Sequence, residues 1–427
     1  MEKRIVITGL GVVAPNALDI EAFTVALRKG ISGIKHHEIL QDLKLGCQVA
    51  GWPDIPQDVL SDYFNPLQLK SIQASGIRYG MMAGIQAWKD AGLFDKEGAS
   101  EGETDWDSGC VFGSGLAGAK VMRDSAYLID QGKSKRLGST SVQQVMASGI
   151  SAHLGGYLGL GNQVTTNASA CSSGTESILM AYDRIQTGRA KRILCGGCDS
   201  SGPYVWAGFD AMRVMTRKSN DQPQKASRPL SATASGFVPG AGAGALVLES
   251  LESAQERSAP IYAEVLGGYV NSGGQRNGGT MTAPNKKGII KCIEGAIHHA
   301  GIKPKDIDAI SGHLTSTMFD PIEVLQWTIA LNRSGNDFPY INAMKSLIGH
   351  CLSAAGAIES VGVVLQLKHQ FLHPSINCED LHPEIEKSIG AERIPTQGQN
   401  QELDIIAKSS FGFGDVNSCV LFKRYEQ

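Results

Sequence analysis

Val164-Thr-Thr-Asn-Ala-Ser-Ala-Cys171-Ser-Ser-Gly-Thr-Glu-Ser-Ile-Leu-Met-Ala-Tyr182 runs from a β-rich segment through a small-residue turn into a helical pattern. It reads as strand, turn and helix, with Cys171 where the helix starts. A thiol there meets the positive end of a helix dipole and unpaired backbone amides, both of which favour thiolate. Ala170, Ser172, Ser173 and Gly174 permit a sharp elbow and close approach of a substrate. A buried structural cysteine fits the same stretch, because that is the usual fate of a lone thiol.

Outward from this elbow, short apolar runs alternate with helical patterns along the whole chain, the mark of an α/β fold. Strands are expected at 4–8, 109–112, 163–167, 192–195, 243–249, 261–266, 309–311, 340–343, 405–409 and 418–423. Helices are expected at 77–91, 174–187, 287–300, 322–330 and 354–368. A polar stretch from Glu249 to Pro260 divides the chain into expected halves, 1–255 carrying the cysteine and 256–427.

The 427 residues are 42% hydrophobic and 19% charged, ample for a large core, and the 51 glycines follow no short repeat. Net charge is −3 with pI near 6.4, which argues against a nucleic-acid binder. No signal-peptide pattern opens the chain, and no run approaches the ~20 apolar residues of a membrane span. A cytoplasmic location is expected. Nine cysteines without a repeating spacing do not suggest a disulfide framework. Cys195 and Cys198 form one Cys-x-x-Cys pair; small core cysteines in a strand ending at a Gly turn fit it better than a redox pair. No second pair completes a zinc site, and no metal is expected. Gly9-Leu-Gly11-Val-Val-Ala14 matches a dinucleotide fingerprint formally. Pro15 follows at once, however, so an early strand-to-loop turn is expected in place of the helix start the fingerprint needs.

Two histidines lie far from Cys171 in sequence. His313 follows an expected strand in Ser311-Gly-His-Leu-Thr-Ser-Thr317, with Asp320 and Glu323 beyond it. His350 precedes a small-residue helix in Asn342-Ala-Met-Lys345-Ser-Leu-Ile-Gly-His-Cys-Leu-Ser-Ala-Ala-Gly356. Each histidine alone reads more readily as a structural residue than as a catalyst. Three strand-end sites carrying Cys, His and His point together to a nucleophile with partners.

These stretches resemble the β-ketoacyl-acyl-carrier-protein synthases of the Cys-His-His kind, the chain-elongating ketosynthases of the thiolase superfamily. The resemblance rests on Cys171-Ser-Ser-Gly, His313-x-Thr-Ser-Thr317, Lys345-Ser-x-x-Gly-His350 and Ser410-Phe-Gly-Phe-Gly414, in the family's order across the chain. Weaker matches are Ile5–Pro15, Lys225-Ala-Ser-Arg-Pro229 and Gly236-Phe-Val-x-Gly240. It implies a thiolase fold, with two pseudo-symmetric α/β halves in five α-β-α-β-α layers and the site at their junction.

It also implies roles. Cys171 would take an acyl chain from the phosphopantetheine of an acyl carrier protein, and no other cofactor is implied. The amides of Cys171 and Phe411 would form the oxyanion hole, with Phe411 as gate. His313 and His350 would hold the malonyl thioester oxygen as carbon dioxide leaves. Lys345 would orient His350 through a pair with Glu323, Asp320 would support the site, and Thr315 and Thr317 would bind the phosphopantetheine. Leu116 would limit acyl depth beside a tunnel that Phe209 borders. Arg213, Arg217 and Lys218 would meet the acidic carrier protein, with Lys225 and Arg228 nearby. A dimer, homotypic or with a related subunit, is expected. Read without the resemblance, the threonines cap a helix, Leu116 is core, Lys345 is a surface lysine and the basic residues are a solvated face.

The sequence departs from the family at Leu314, where Gly is usual, and at Asp415-Val416, where Gly-Thr is usual. The Thr317–Asp320 loop is one residue shorter, and Gly240-Ala-Gly242 replaces Gly-Glu-Gly. Fatty-acid elongation is therefore weighed against a specialised aryl polyene or polyketide ketosynthase. A chain-length-factor-like subunit would lack Cys171. A thiolase would need a second reactive cysteine in a Gly-rich loop, whereas Cys419 lies in an apolar strand. Starter-condensing relatives carry Asn where His350 stands.

Overall fold

A computed structural model describes residues 3–94 and 103–426. Ten strands form one large sheet: β1 Ile5–Val13, β2 Ser108–Ser114, β3 Val164–Thr165, β4 Arg192–Asp199, β5 Gly242–Ser250, β6 Ala263–Ser272, β7 Ala309–Ser311, β8 Tyr340–Asn342, β9 Ile405–Gly412 and β10 Val416–Arg424. The helices that matter for the site are α1 Ser75–Asp90, α2 Ala119–Asp130, α3 Ser173–Gln186, α4 Pro203–Ala211, α5 Lys286–His299, α6 Asp320–Leu331 and α7 Ala355–His369.

The strand order is β8-β7-β9-β10-β6-β1-β5-β4-β2-β3. Read from each outer edge inward, both halves give the same pattern: third, second, fourth, fifth and first strand of that half. The directions repeat too. β2 runs parallel to β3 and β4 while β5 is antiparallel to β4 and β1. Likewise β7 runs parallel to β8 and β9 while β10 is antiparallel to β9 and β6. The halves join where Ile5, Val6 and Ile7 of β1 pair with Val265, Glu264 and Ala263 of β6.

Helices α1 and α5 cover the outer faces of the two half-sheets, while α3 and α7 pack together between them. This is the α/β thiolase architecture in layers. Helix α7 is buried on every side from Ala355 to Leu367, as a central layer must be. Glu359 is the only charged residue in that buried run. The starts of α3 and α7 touch. A Cβ on Gly174 would lie 2.6 Å from the Ala357 nitrogen, so only glycine lets the two helix beginnings meet. That contact draws the segments before each helix, with Cys171 and His350, to one place.

Two local expectations change. β1 continues through Gly9 and Gly11 to Val13 without a turn. A Cβ at either glycine would overlap the carbonyl oxygens of Ala87 and Ala83, so these glycines let α1 lie flat on the strand. Cys195-Gly-Gly-Cys198 is likewise strand throughout, and both cysteines are free and buried. Gly196 and Gly197 sit within β4 and do not form the expected turn.

Candidate active site

Cys171 sits in a 3₁₀ turn, Ala170–Ser172, immediately before α3 and two residues ahead of its first residue. Ala170 is in the left-handed region at φ +50°, a strained setting for a residue with a side chain. Side chains hold the elbow. The Ser173 hydroxyl donates to the Ala170 carbonyl at 2.7 Å and accepts from the Ser169 N–H at 2.9 Å. The Ser172 hydroxyl reaches the carbonyls of Ser410 and Val416, both at 3.2 Å, tying the elbow to β9 and β10 of the other half.

His313 leaves the end of β7, and its backbone is clamped by Glu323 of α6. The carboxylate accepts from the N–H groups of His313 at 2.7 Å and Leu314 at 2.8 Å. His350 is fixed by the strand-like segment 238–240: its N–H donates to Val238 and its carbonyl accepts from Gly240, both at 2.8 Å. The two imidazoles stand nearly perpendicular with centroids 5.3 Å apart. His350 Nε2 lies 3.2 Å from Cys171 Sγ. The Nδ1 atoms of both rings have no hydrogen-bond partner among the described residues.

Burial dominates the electrostatics. It pushes the Cys171 thiol up to about 11, although Lys345 and the N–H groups of Phe413 and Cys171 favour thiolate. The thiolate expected from the helix start therefore does not persist at neutral pH. Burial, then Lys345, holds both imidazoles well below their ordinary value, so both are neutral. One neutral imidazole beside a thiol can take its proton, and a second can donate to an oxygen. The Cys171 sulfur and one nitrogen of each imidazole lie within 4.8 Å of one another.

Lys345, expected to pair with Glu323, pairs with Glu359 instead, at 2.5 Å. Lys408 of β9 approaches the other oxygen of Glu359 at 2.9 Å, and all three side chains are buried. Glu323 is already occupied by the His313 and Leu314 amides. Glu359 and Lys408 escape a motif reading. Their signal is a lone acid in an apolar helix and a lone lysine in an apolar strand, each needing a buried partner.

Asp320 organises the loop beyond His313, accepting from the backbone N–H groups of Thr315 at 2.8 Å and Ser316 at 3.0 Å. Burial raises its carboxyl to about 7. The hydroxyls of Thr315 and Thr317 are 3.0 Å apart and line the cavity above Cys171. Leu314, in the place where the family has Gly, is buried and in the left-handed region at φ +23°.

The cavity is about 350 Å³ and is walled by Cys171, both histidines, both threonines, Phe209, Phe411 and Phe413 among others. Phe411 is still within the ladder, opposite Asn417, with its ring 6.2 Å from that of His313. Phe413 lies beyond the strand end, and its N–H is the one that joins that of Cys171 at the sulfur. The second amide donor therefore sits two residues later than the expected Phe411. The Phe413 ring also packs on Phe209 at 6.0 Å.

Other expected residues lie further out. Leu116 is exposed and does not line this cavity; its N–H donates to Asp199 at 3.1 Å. Arg213 lines the mouth and Lys218 is exposed nearby. Arg217 turns back to Asp210 at 3.3 Å, and Arg228 pairs with Glu379 and Asp380. The expected basic face thus keeps Arg213, Lys218 and Lys225 as cations without an ion pair among the described residues. Asp415 is buried and accepts from the N–H groups of Gln275 at 2.9 Å and Asn285 at 2.8 Å, fastening the loop before α5 to the β9–β10 turn.

Comparison with known proteins bears on the whole chain. Residues 2–254 match the family model of the beta-ketoacyl synthase N-terminal domain, and residues 262–379 that of the C-terminal domain. The chain is 33% identical to the chloroplastic 3-oxoacyl-[acyl-carrier-protein] synthase I of Arabidopsis thaliana, over 100% of this chain and 87% of that one. It is 32% identical to 3-oxoacyl-[acyl-carrier-protein] synthase 1 of Escherichia coli strain K12, over 99% of each. A solved type II polyketide acyl carrier protein in complex with its ketosynthase superposes with TM-score 0.86 at 26% identity, over 100% of both chains. The chain belongs to the beta-ketoacyl synthase family and is a condensing acyltransferase.

Proposed function

We propose that Cys171 carries the growing acyl group of a β-ketoacyl-acyl-carrier-protein synthase, and that His350 and His313 serve its two half-reactions. The observation that carries this is the 3.2 Å approach of His350 Nε2 to Cys171 Sγ with His313 alongside.

In the first half-reaction His350 takes the thiol proton and the sulfur attacks the acyl thioester carbonyl. The N–H groups of Cys171 and Phe413 hold the oxyanion, the carbon–sulfur bond to phosphopantetheine breaks, and the departing sulfur regains a proton from His350. In the second, the malonyl carboxylate leaves as carbon dioxide and its electron pair passes to an enolate. His313, and His350 once its remaining proton has passed to the cavity-facing nitrogen, donate to the enolate oxygen, both as neutral imidazoles. The enolate carbon then attacks the acyl carbonyl on Cys171, and the cysteine sulfur leaves. Thr315 and Thr317 hold the phosphopantetheine, Phe209, Phe411 and Phe413 wall the acyl entrance, and Lys345 steadies the turn before His350 through Glu359. Glu323 and Asp320 fix the His313 loop. Phosphopantetheine is delivered by the carrier protein and is not resident.

The same reading takes 1–255 and 256–427 as duplicated halves, supported by the repeated strand order. Arg213 and Lys218, with Arg217 at the edge, meet an acidic acyl carrier protein, and the working unit is a homodimer in which Leu116 limits acyl depth. No helix among the described residues is long and apolar enough to cross a membrane, and we place the chain in the cytoplasm. Fatty-acid elongation is the primary assignment. The buried Leu314 and Asp415 favour a specialised polyketide or aryl polyene role as the second reading, since both reshape the loops around the entrance. Saturated, unsaturated and aryl-primed carrier proteins offered side by side decide between them.

The role assignment is tested by mass spectrometry. Incubation with acyl-carrier protein should add one acyl mass to Cys171, and Cys171→Ala should abolish labelling and condensation; an alanine variant that still condensed would refute the nucleophile. His313→Ala should still acylate Cys171 but lose malonyl decarboxylation by roughly 100–1000-fold. Equal loss of both steps would make His313 structural.

A further inference from the structure

Two lysines, Lys345 and Lys408, are buried behind the active-site histidines and share one carboxylate. Lys345 belongs to the turn that carries His350. Lys408 belongs to no motif and comes from β9, three residues before Phe411. Burying an extra ammonium is expensive, so its retention calls for a physical role.

The neighbouring charges supply one. Lys345 and Lys408 stand against Glu359 of α7 and Glu323 of α6, so four buried formal charges cancel. Burial raises the Glu323 carboxyl, and two backbone amides, the Ser409 hydroxyl at 3.2 Å and the two lysines act against that to favour the carboxylate. Lys408 is therefore the cation that balances it. Its ammonium also donates to the Ser409 carbonyl and to the Ser410 hydroxyl at 3.2 Å. Ser410 in turn meets the Thr175 hydroxyl at 2.8 Å on the helix behind Cys171, and its carbonyl accepts from Ser172. Lys408 thus touches both the charge cluster and the strand that leads to Phe413.

We propose that Lys408 is a positioning residue of the condensing site: its ammonium neutralises the Glu323–Glu359 carboxylates beside His313 and His350, so that the cavity can accept the charge of an enolate. The inference rests on the condensing role assigned above. Without Lys408 the cluster carries one net negative charge where a second must form.

The groups facing the histidines give the sign of the pH effect. Cys171 and the other histidine stand in front of each ring, Lys345 and Lys408 behind. Glu359 lies on α7, Glu323 and Asp320 on α6, and Asp199 against the turn after His350. Lys345 and Lys408 both hold the imidazoles below their ordinary value. Removal of Lys408 leaves the carboxylates to favour imidazolium, which has no lone pair for the thiol proton. The acid limb of activity must then move to higher pH.

Lys408→Met preserves the stem and deletes the charge, and Lys408→Gln is the second variant. Each is compared with wild type as the full chain, by acylation of Cys171 and by malonyl-carrier decarboxylation across pH 5 to 9. At neutral pH the expected loss in decarboxylation is about tenfold, less than for a donor in direct contact, with the acid limb of acylation at higher pH and Cys171 still fully acylated on the alkaline side. An unmoved limb with uniform loss would make Lys408 merely structural, as would failure of both variants to fold. Failure of the wild type itself to acylate Cys171 at any pH would refute the underlying condensing role instead.

Discussion

Cys171 shows two opposed effects on one atom. The elbow amides and Lys345 favour the thiolate, whereas removal from water favours the thiol, and burial wins by raising it to about 11. A thiol beside a neutral imidazole is activated only when the proton has somewhere to go, and in the proposed mechanism it goes to His350. Iodoacetamide labelling of the free enzyme should therefore keep rising with pH, about tenfold per unit below the thiol's value, toward about 11. A rate already level at pH 7 would show a preformed thiolate and overturn this balance. At this scale the sequence was readable for Cys171, His313 and His350, whose types and settings carry chemistry. It could not separate Phe411 from Phe413, because both lie in one Phe-Gly-Phe-Gly run and no local pattern marks that the strand ends between them. Nor could it assign Lys345 to Glu359, since that pair joins elements whose packing no local pattern encodes.

The elements fall where buried apolar runs are continuous. β4, β5, β9 and α7 are almost wholly enclosed, and such runs announce themselves in the sequence. What escaped were short or half-polar pieces. Ile34–His36 and Val49–Gly51 pair over three residues each, too few for a periodic signal. α2 exposes much of its apolar side, which blurs its amphipathic pattern in a sequence. β1 was legible as a strand but not to its end, because Gly9 and Gly11 look like a turn and serve as a bed for α1. Gly11→Ala tests that reading. Its methyl group would meet the Ala83 carbonyl, forcing strand and helix apart at a cost of about 1–3 kcal/mol. Thermal unfolding should begin at lower temperature with Cys171 acylation intact in the folded fraction. An unchanged melting curve would mean that α1 is not seated on the glycine.

At the scale of the whole molecule, the duplicated strand order leaves two outer edges, β8 and β3. The β3 edge stands out because Val164 on it is partly exposed, and exposed apolar side chains from neighbouring segments accompany it: Leu116, Met122, Tyr127, Ile129 and Val142. An unpaired strand beside exposed apolar groups is a template for another chain. A second copy presenting the same edge antiparallel satisfies both at once, since a two-fold interface is self-complementary. It would also resolve the position of Leu116. In one chain it is exposed, yet the adjacent Gly115 N–H donates to Ser353 at 2.9 Å, next to the cavity-lining Leu352. Covered by a partner, Leu116 would become a wall at the far end of the acyl space. Light scattering of the full chain should accordingly give twice the 45.3 kDa monomer mass. The double variant Val142→Lys and Val164→Lys, which places charge on that edge, should shift it to the monomer and loosen discrimination between short and long acyl carriers. A wild-type monomer at micromolar concentration, or a double variant that stays dimeric with unchanged chain-length preference, would place the interface and the role of Leu116 elsewhere.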